Sequence, residues 1–258
     1  MQANPLVSVI VPVFNGKRFL VEALDSVVQQ NYRPLELIVV NDGSSDTTAQ
    51  VVVDYAGHCP VPLHAVEQEN LGPAAARNRG LAIAQGEIIA FQDADDLWTA
   101  DRLPVQLALL ERFSGAMAVL GRTCFFFDDE TTFSSSAAAR AADSAPRWFL
   151  GIHSGLYRRQ AFDGIGQFNA DLRYHEDIDW FRRARATGLA IYSHEEVVLL
   201  HRRHAANMTN DRAALQTELL RMLRRSPRGH TTRDDSLLAW LTTQSAQTEE
   251  EKRHSAVR

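Results

Sequence analysis

Asp93, Asp95 and Asp96 put three carboxylates into four positions, directly after the apolar run at residues 87–91. Such a run reads as a buried strand, so the acids sit at its C-terminal end. Crowded like charges cost free energy unless a positive group neutralises them. A hard divalent cation does so through oxygen ligands, which suit Mg²⁺ or Mn²⁺. A cation gripped by one or two carboxylates, with positions left open, is how proteins hold substrate phosphates. The motif therefore points to a phosphate-bearing substrate. It also fits a solvated helix start, with Asp95 or Asp96 capping a helix beyond Trp98. From the motif alone both readings stay open.

The elements that must position these acids alternate. Residues 7–13 form a β-branched run, and 19–30 place Phe19, Leu20, Ala23, Leu24 and Val27 at helical intervals. Residues 35–40 read as a second strand ending in the polar turn 41–46, followed by a helix over 47–56. A strand at 61–67, a turn at 70–73, a helix over 74–85 and the strand at 87–91 complete the first half. Strands alternating with helices of this length predict parallel βαβ units, with ligands bound outside the carboxyl ends of the strands. Phe14–Asn15, Asp42 and Asp93–Asp96 all fall at such ends. Their convergence on one crevice is stronger evidence than any single motif.

The second half is less regular. A helix is predicted over 101–113 and a strand over 116–127. A Ser- and Ala-rich loop over 130–146 and a mixed apolar segment at 148–157 follow. Residues 159–171 read as a short helix and turn, 174–188 as a helix carrying acids at its start, and 190–200 as a strand. A helix over 215–223 and a frayed charged tail from 249 close the chain.

At 258 residues the chain holds one large domain, or a domain with an appendage. A formal net charge of −5 argues against a nucleic-acid binder working by phosphate neutralisation. Two cysteines, Cys59 and Cys124, are too few for a disulfide framework. No apolar stretch approaches the ~20 residues needed to span a bilayer, and residues 1–5 lack the flank and core of a signal peptide. The expectation is a soluble cytoplasmic protein. Peripheral association with the inner membrane face, through a partner or the Arg-rich stretch 221–228, is left open.

Five segments then form an ordered set: 9–15 (VIVPVFN), 39–48 (VVNDGSSDTT), 70–78 (NLGPAAARN), 93–96 (DADD) and 176–180 (EDIDW). Each is weak alone, but the set over residues 5–209 resembles the family 2 glycosyltransferases. The resemblance implies a GT-A fold: a Rossmann-like, mostly parallel sheet flanked by helices, with a smaller acceptor-side subregion. It implies a donor half at about 1–100, an acceptor and base half at about 101–209, and a C-terminal helical appendage over 210–258. It implies metal-dependent inverting transfer from a nucleotide-diphosphate sugar, UDP-sugar favoured, to an acceptor hydroxyl. The acceptor would be a carbohydrate or lipid-linked, as in cell-surface polysaccharide or glycolipid synthesis. A nucleotidyltransferase or a non-catalytic nucleotide-sugar binder are the alternatives.

By that resemblance Asp95 ligates Mn²⁺ or Mg²⁺, with His204 as a further ligand or a diphosphate donor. Asp93 and Ala94 contact the ribose or sugar, and Arg202 a phosphate. Pro12, Phe14 and Asn15 wall the nucleotide pocket, unless Phe14 is plain core. Asp42 meets the uracil or ribose, or else caps a helix. Of Arg77 and Arg79, two apart on a helix, only one readily faces the crevice. Arg77 matches the motif and would contact the diphosphate. Asp177 matches the catalytic base, with Glu176 beside it able to raise its basicity. Asp179 competes for that role, and all three acids also suit a helix N-terminus. Trp98 and Trp180 could stack on sugar faces, although burial is the commoner fate of Trp. The segment His153-Ser154-Gly155-Leu156 lies where relatives line the acceptor pocket, with Ser154 and Gly155 as its acceptor candidates. His175 stands where many relatives have a small residue.

Overall fold

The computed structural model describes residues 4–127 and 144–225. Its first half is β1 (Val7–Val13), α1 (Leu20–Val28), β2 (Leu35–Asp42), α2 (Thr48–Ala56), β3 (Leu63–Gln68), α3 (Pro73–Ile83) and β4 (Ile88–Phe91). The second half adds β5 (Leu97–Trp98), α4 (Arg102–Arg112), β6 (Ala118–Phe127), β7 (Gly155–Arg158), α5 (Gln160–Ile165), α6 (Glu176–Ala186), β8 (Ile191–Arg203) and α7 (Arg212–Arg225).

All eight strands join one sheet in the order β3-β2-β1-β4-β7-β6-β8-β5. The β3-β2-β1-β4 half is parallel, as the βαβ reading requires. β7 runs antiparallel to both β4 and β6, and β8 returns parallel to β6. β1, β2 and β4 are covered on both faces and so read as near-continuous apolar runs, whereas the edge strand β3 is largely exposed and carries His64, Glu67 and Gln68. Alternation sorts the two cores. Val7, Val9, Val11 and Val13 of β1 join Leu35, Leu37 and Val39 of β2 under α1 and α2. Ile10, Ile38 and Val40 point the other way, toward α3 and α6 with Trp180 and Phe181.

Three departures bear on the site. β8 runs to Arg203 instead of stopping at Leu200, which puts His201 and Arg202 on a strand. Two-residue β5 was not foreseen; it pairs with β8 and brings residues 95–98 against 199–202. The helix expected over 174–188 starts at Glu176, two residues late, because His175 is left-handed at φ 61°. The loop expected at 130–146 lies outside the described residues as far as 143, as does the tail from 249. No helix among the described residues is long and apolar enough to cross a membrane.

Candidate active site

The crevice at the carboxyl ends of β1, β2 and β4 is assembled from turns that tie those strands together. Asn15 turns the chain out of β1 at φ 51°. Its side-chain oxygen accepts from the backbone N–H of Ser45 at 2.8 Å and of Asp46 at 3.3 Å. The β1 and β2 loops are thereby locked. Pro12 is half-buried beneath them. Phe14 is 48% exposed at their lip, which removes the core-packing alternative for that ring.

Asp42 is buried, and both its oxygens are engaged. They accept from Gln68 Nε2 at 2.8 Å and from the N–H groups of Leu71 and Gly72, each at 2.9 Å. It therefore caps the entry to α3 rather than the helix that follows it. Gly72, at φ 91°, takes a conformation glycine adopts at little cost, and Pro73 then fits the first helical position. Gly80 lets α3 lie close on the sheet: an added Cβ would sit 2.4 Å from Ile10 Cγ2.

This seating aims Arg77 into the crevice, while Arg79 stays exposed. The Arg77 fork bridges two carboxylates: Nη2 donates to Asp93 Oδ1 at 2.8 Å, and Nη1 donates to Glu176 Oε1. Each terminal nitrogen thus serves one acid, which makes Arg77 a clamp between the two acid motifs, while its buried Nε has no hydrogen-bond partner among the described residues. Burial would raise the Asp93 carboxyl, but the charges of Arg77 and His153 outweigh it and hold it at about 2. The same two acids keep the Arg77 guanidinium firmly charged despite its burial.

Asp177, next to Glu176, is half-buried and accepts the Ile178 N–H at 2.7 Å. Burial, and then the negative charge of Glu176, push its carboxyl up to about 7. Asp179 is instead engaged by Arg182 at 3.1 Å and Arg183 at 2.8 Å, an arrangement that braces the helix.

On the other flank, Asp95 Oδ2 meets His204 Nε2 at 2.9 Å, with Asn207 Nδ2 at 3.4 Å. The Ala206 N–H donates to His204 Nδ1, so Nε2 carries the proton and donates to Asp95. As it stands, His204 orients Asp95; ligating a cation through Nε2 would require releasing the Ala206 bond. The Asp95 side chain remains about one-third open to solvent, at 31% exposure. Ala94 packs on the core beside Gly16.

Several expected contacts fall behind the crevice. Arg202 is buried between Phe19 and Phe126, its guanidinium 4.5 Å and 4.7 Å from the ring centres. It donates to the Asp95 carbonyl at 2.7 Å and to Glu22 at 2.6 Å, bracing the acidic turn rather than facing a phosphate. Trp98 packs in one core under Arg102, and Trp180 in the other among Tyr157, Phe162 and Phe168. Both rings are withdrawn from any sugar. Ser154 is buried and donates to the Gly151 carbonyl, and a Cβ on Gly155 would strike the Tyr157 ring. These two shape the floor and offer no free donor.

A further polar cluster takes in His153, from the segment expected to line the acceptor pocket, together with Asp96 and His201. Asp96, fully buried, accepts from the Arg202 N–H at 2.8 Å and meets His201 Nδ1 at 2.9 Å. His201 stacks on His153 at 5.8 Å, and His153 Nδ1 lies 3.3 Å from Asp93. Burial pushes Asp96 up to about 6 and His153 down to about 4. Burial also lowers His201, but Asp96 outweighs that and raises it. One ligand atom from each of Asp96, His153 and His201 lies within 4.8 Å of the others, a group able to hold an ion. It is closed to solvent, whereas a cation serving a substrate needs open positions. Of the acids in this turn Asp95 is the most open, its side chain 31% exposed against 26% for Asp93 and none for Asp96. The signal for the cluster was the three polar residues 201–203 continuing an apolar strand.

Residues 8–170 match the model of Glycosyl transferase family 2. The chain belongs to that family. By class it is therefore a transferase. It is 30% identical over 254 residues to the uncharacterized glycosyltransferase YibD of Escherichia coli, covering 88% of this chain and 73% of that one. It is 38% identical over 119 residues to the putative teichuronic acid biosynthesis glycosyltransferase TuaG of Bacillus subtilis, covering 46% and 47%. In fold it resembles the mannosyltransferase PcManGT of Pyrobaculum calidifontis, solved with GDP-Man and Mn²⁺. The TM-score is 0.67 at 24% identity, over 90% of this chain and 67% of that one. It likewise resembles S. aureus TarS 1-349 solved with UDP-GlcNAc, with TM-score 0.65 at 22% identity, over 80% and 60%. These glycosyltransferase neighbours bear out the expected GT-A fold, and family membership disposes of the nucleotidyltransferase alternative.

Proposed function

We infer that the protein transfers a sugar from a nucleotide-diphosphate sugar to an acceptor hydroxyl, with inversion at the anomeric carbon. One observation carries this reading: Arg77 links Asp93, two residues from Asp95, to Glu176, the neighbour of Asp177. A donor-side acid motif and a base-side acid motif 80 residues apart thus share one cleft. Had they faced different sides of the molecule, the reading would have failed.

In this proposal Phe14 offers an exposed ring to the base, with Pro12 and Asn15 shaping the wall. Asp93, ionised and pinned by Arg77, faces the ribose or sugar. Asp95 holds Mn²⁺ or Mg²⁺ through its open oxygen, while the His204 Nε2–H fixes the carboxylate; bound there, the cation would act as Lewis acid on the leaving diphosphate. The donor set fits a hard cation, since a carboxylate oxygen with room beside it is what Mg²⁺ and Mn²⁺ use. Asp177 takes the proton of the acceptor hydroxyl as its oxygen attacks the anomeric carbon, and the bond to the diphosphate breaks. A carboxyl raised to about 7 is well matched to that task near neutral pH. UDP-sugar remains the favoured donor, supported by the TarS neighbour. The GDP-Man complex of PcManGT puts guanosine sugars in the same test. Cell-surface polysaccharide is the favoured destination, in keeping with the name of TuaG.

The reading is tested by a thermal-shift screen of UDP- and GDP-sugars with and without Mn²⁺. One nucleotide sugar should stabilise the chain only with the cation, and Asp95→Ala should abolish that increment. A cation-dependent shift that survives Asp95→Ala would reject this site.

A further inference from the structure

The family match ends at residue 170, yet a helix beyond it grips the base-bearing segment. Glu218 of α7 accepts the Arg173 N–H at 3.0 Å on one oxygen and the Tyr174 N–H on the other. His175 Nε2 donates to the Leu215 carbonyl at 3.0 Å. Three consecutive residues are therefore fastened to one face of α7, and Met222 is buried one turn further along. From the other side, Arg173 Nη2 reaches Asn70 Oδ1 at 3.5 Å, at the turn capped by Asp42.

The fastened residues are the ones that aim the acids. His175 is left-handed at φ 61° and is followed directly by Glu176 and Asp177. A residue with a β-carbon holds that conformation only when its surroundings over-determine it. A carboxylate accepting two successive backbone N–H groups is a strong, charge-assisted way to do so.

We propose that Glu218 is a positioning residue for sugar transfer, setting the carboxylate of Asp177 by holding the 173–175 turn. The proposal rests on Asp177 as the base, and its test separates the two. Glu218→Ala and Glu218→Gln are compared in the full chain with Leu220→Ala, a change at an exposed position of the same helix. Hydrogen–deuterium exchange of the unliganded chain comes first. The amides of Arg173 and Tyr174 should exchange about 10-fold faster or more in Glu218→Ala. The effect should be smaller in Glu218→Gln, which keeps one acceptor, and absent in Leu220→Ala. Unchanged exchange in Glu218→Ala overturns the proposal.

Release of UDP or GDP from UDP-Glc, UDP-GlcNAc and GDP-Man with Mn²⁺ then gives kcat, donor KM and a pH profile. Displacing the base without touching the donor should cut kcat about 10- to 100-fold. Donor KM should stay within about twofold, because the donor contacts are untouched. The acid limb of kcat should also shift, a change that general loosening of the fold would not produce. Wild-type kcat and an unmoved limb overturn the proposal even if exchange rises. Turnover retained in Asp177→Asn defeats the base assignment instead. Faster exchange with lost kcat in Glu218→Ala would then keep Glu218 as the brace of whichever acid of α6 acts.

Discussion

Asp177→Asn separates a poised base from a helix-terminal acid, through stability rather than turnover. The folded protein holds the Asp177 proton up to about 7, against an ordinary value of 3.8. A carboxyl raised on folding stabilises the fold only while protonated. Its contribution is complete below the unfolded value and is lost as pH rises toward the folded one. Across that window wild-type stability should fall by about 1.4 kcal/mol per pH unit on account of this group. The full interval of about three units corresponds to about 4 kcal/mol, and partial exposure of the side chain reduces this to about 2 kcal/mol. Asparagine has no proton to lose. In urea unfolding of the unliganded chain, Asp177→Asn should match wild type near pH 4 and exceed it by that amount at pH 8. A difference that is flat from pH 4 to pH 8 would show Asp177 to be an ordinary solvated acid, and the reasoning from burial and Glu176 would be refuted. An ordinary acid at a helix N-terminus predicts the opposite sign, since the macrodipole favours its charged form.

The same titration should appear in catalysis, with kcat/KM falling below about pH 7 as Asp177 takes up its proton. Arg77→Ala strands two acids, Asp93 and Glu176, and should cost about 3–5 kcal/mol in chemical denaturation. Arg77→Lys should retain the fold but lose turnover, since an ammonium cannot reproduce the fork; wild-type turnover would argue against the clamp. Phe14→Ala should leave stability within about 0.5 kcal/mol, because the ring is exposed, yet weaken nucleotide binding by about 0.5–1.5 kcal/mol in calorimetry.

The parallel half of the fold was legible because strands buried on both faces announce themselves as near-continuous apolar runs. Val7–Val13 and Ile88–Phe91 carry that signal, and their ends correctly foretold where the polar residues would gather. The antiparallel half was harder to read. Gly155–Arg158 is too short to show a period, and β5 exists only because β8 lies beside it. The resemblance points Arg202 at a phosphate, whereas the extension of β8 to Arg203 places both His201 and Arg202 on a strand. As a strand residue, Arg202 passes under the acidic turn to Glu22. The Trp residues show the limit of reading roles from residue type, since an aromatic beside an acid motif suits a sugar platform and a core equally well. Arg77 shows another. Its direction followed from helical spacing, but its partners did not, because Glu176 lies 99 residues away in sequence and meets it only when α3 and α6 pack on the same face of the sheet.

Where a divalent cation settles decides whether Asp95 serves the donor. Anomalous diffraction from crystals grown with Mn²⁺ and UDP would place it directly. The peak should lie about 2.0–2.6 Å from an oxygen of Asp95, beside the diphosphate and on the open side of the cleft that Arg77 spans. A peak in the closed cluster of Asp96, His153 and His201, with none at Asp95, would contradict that role.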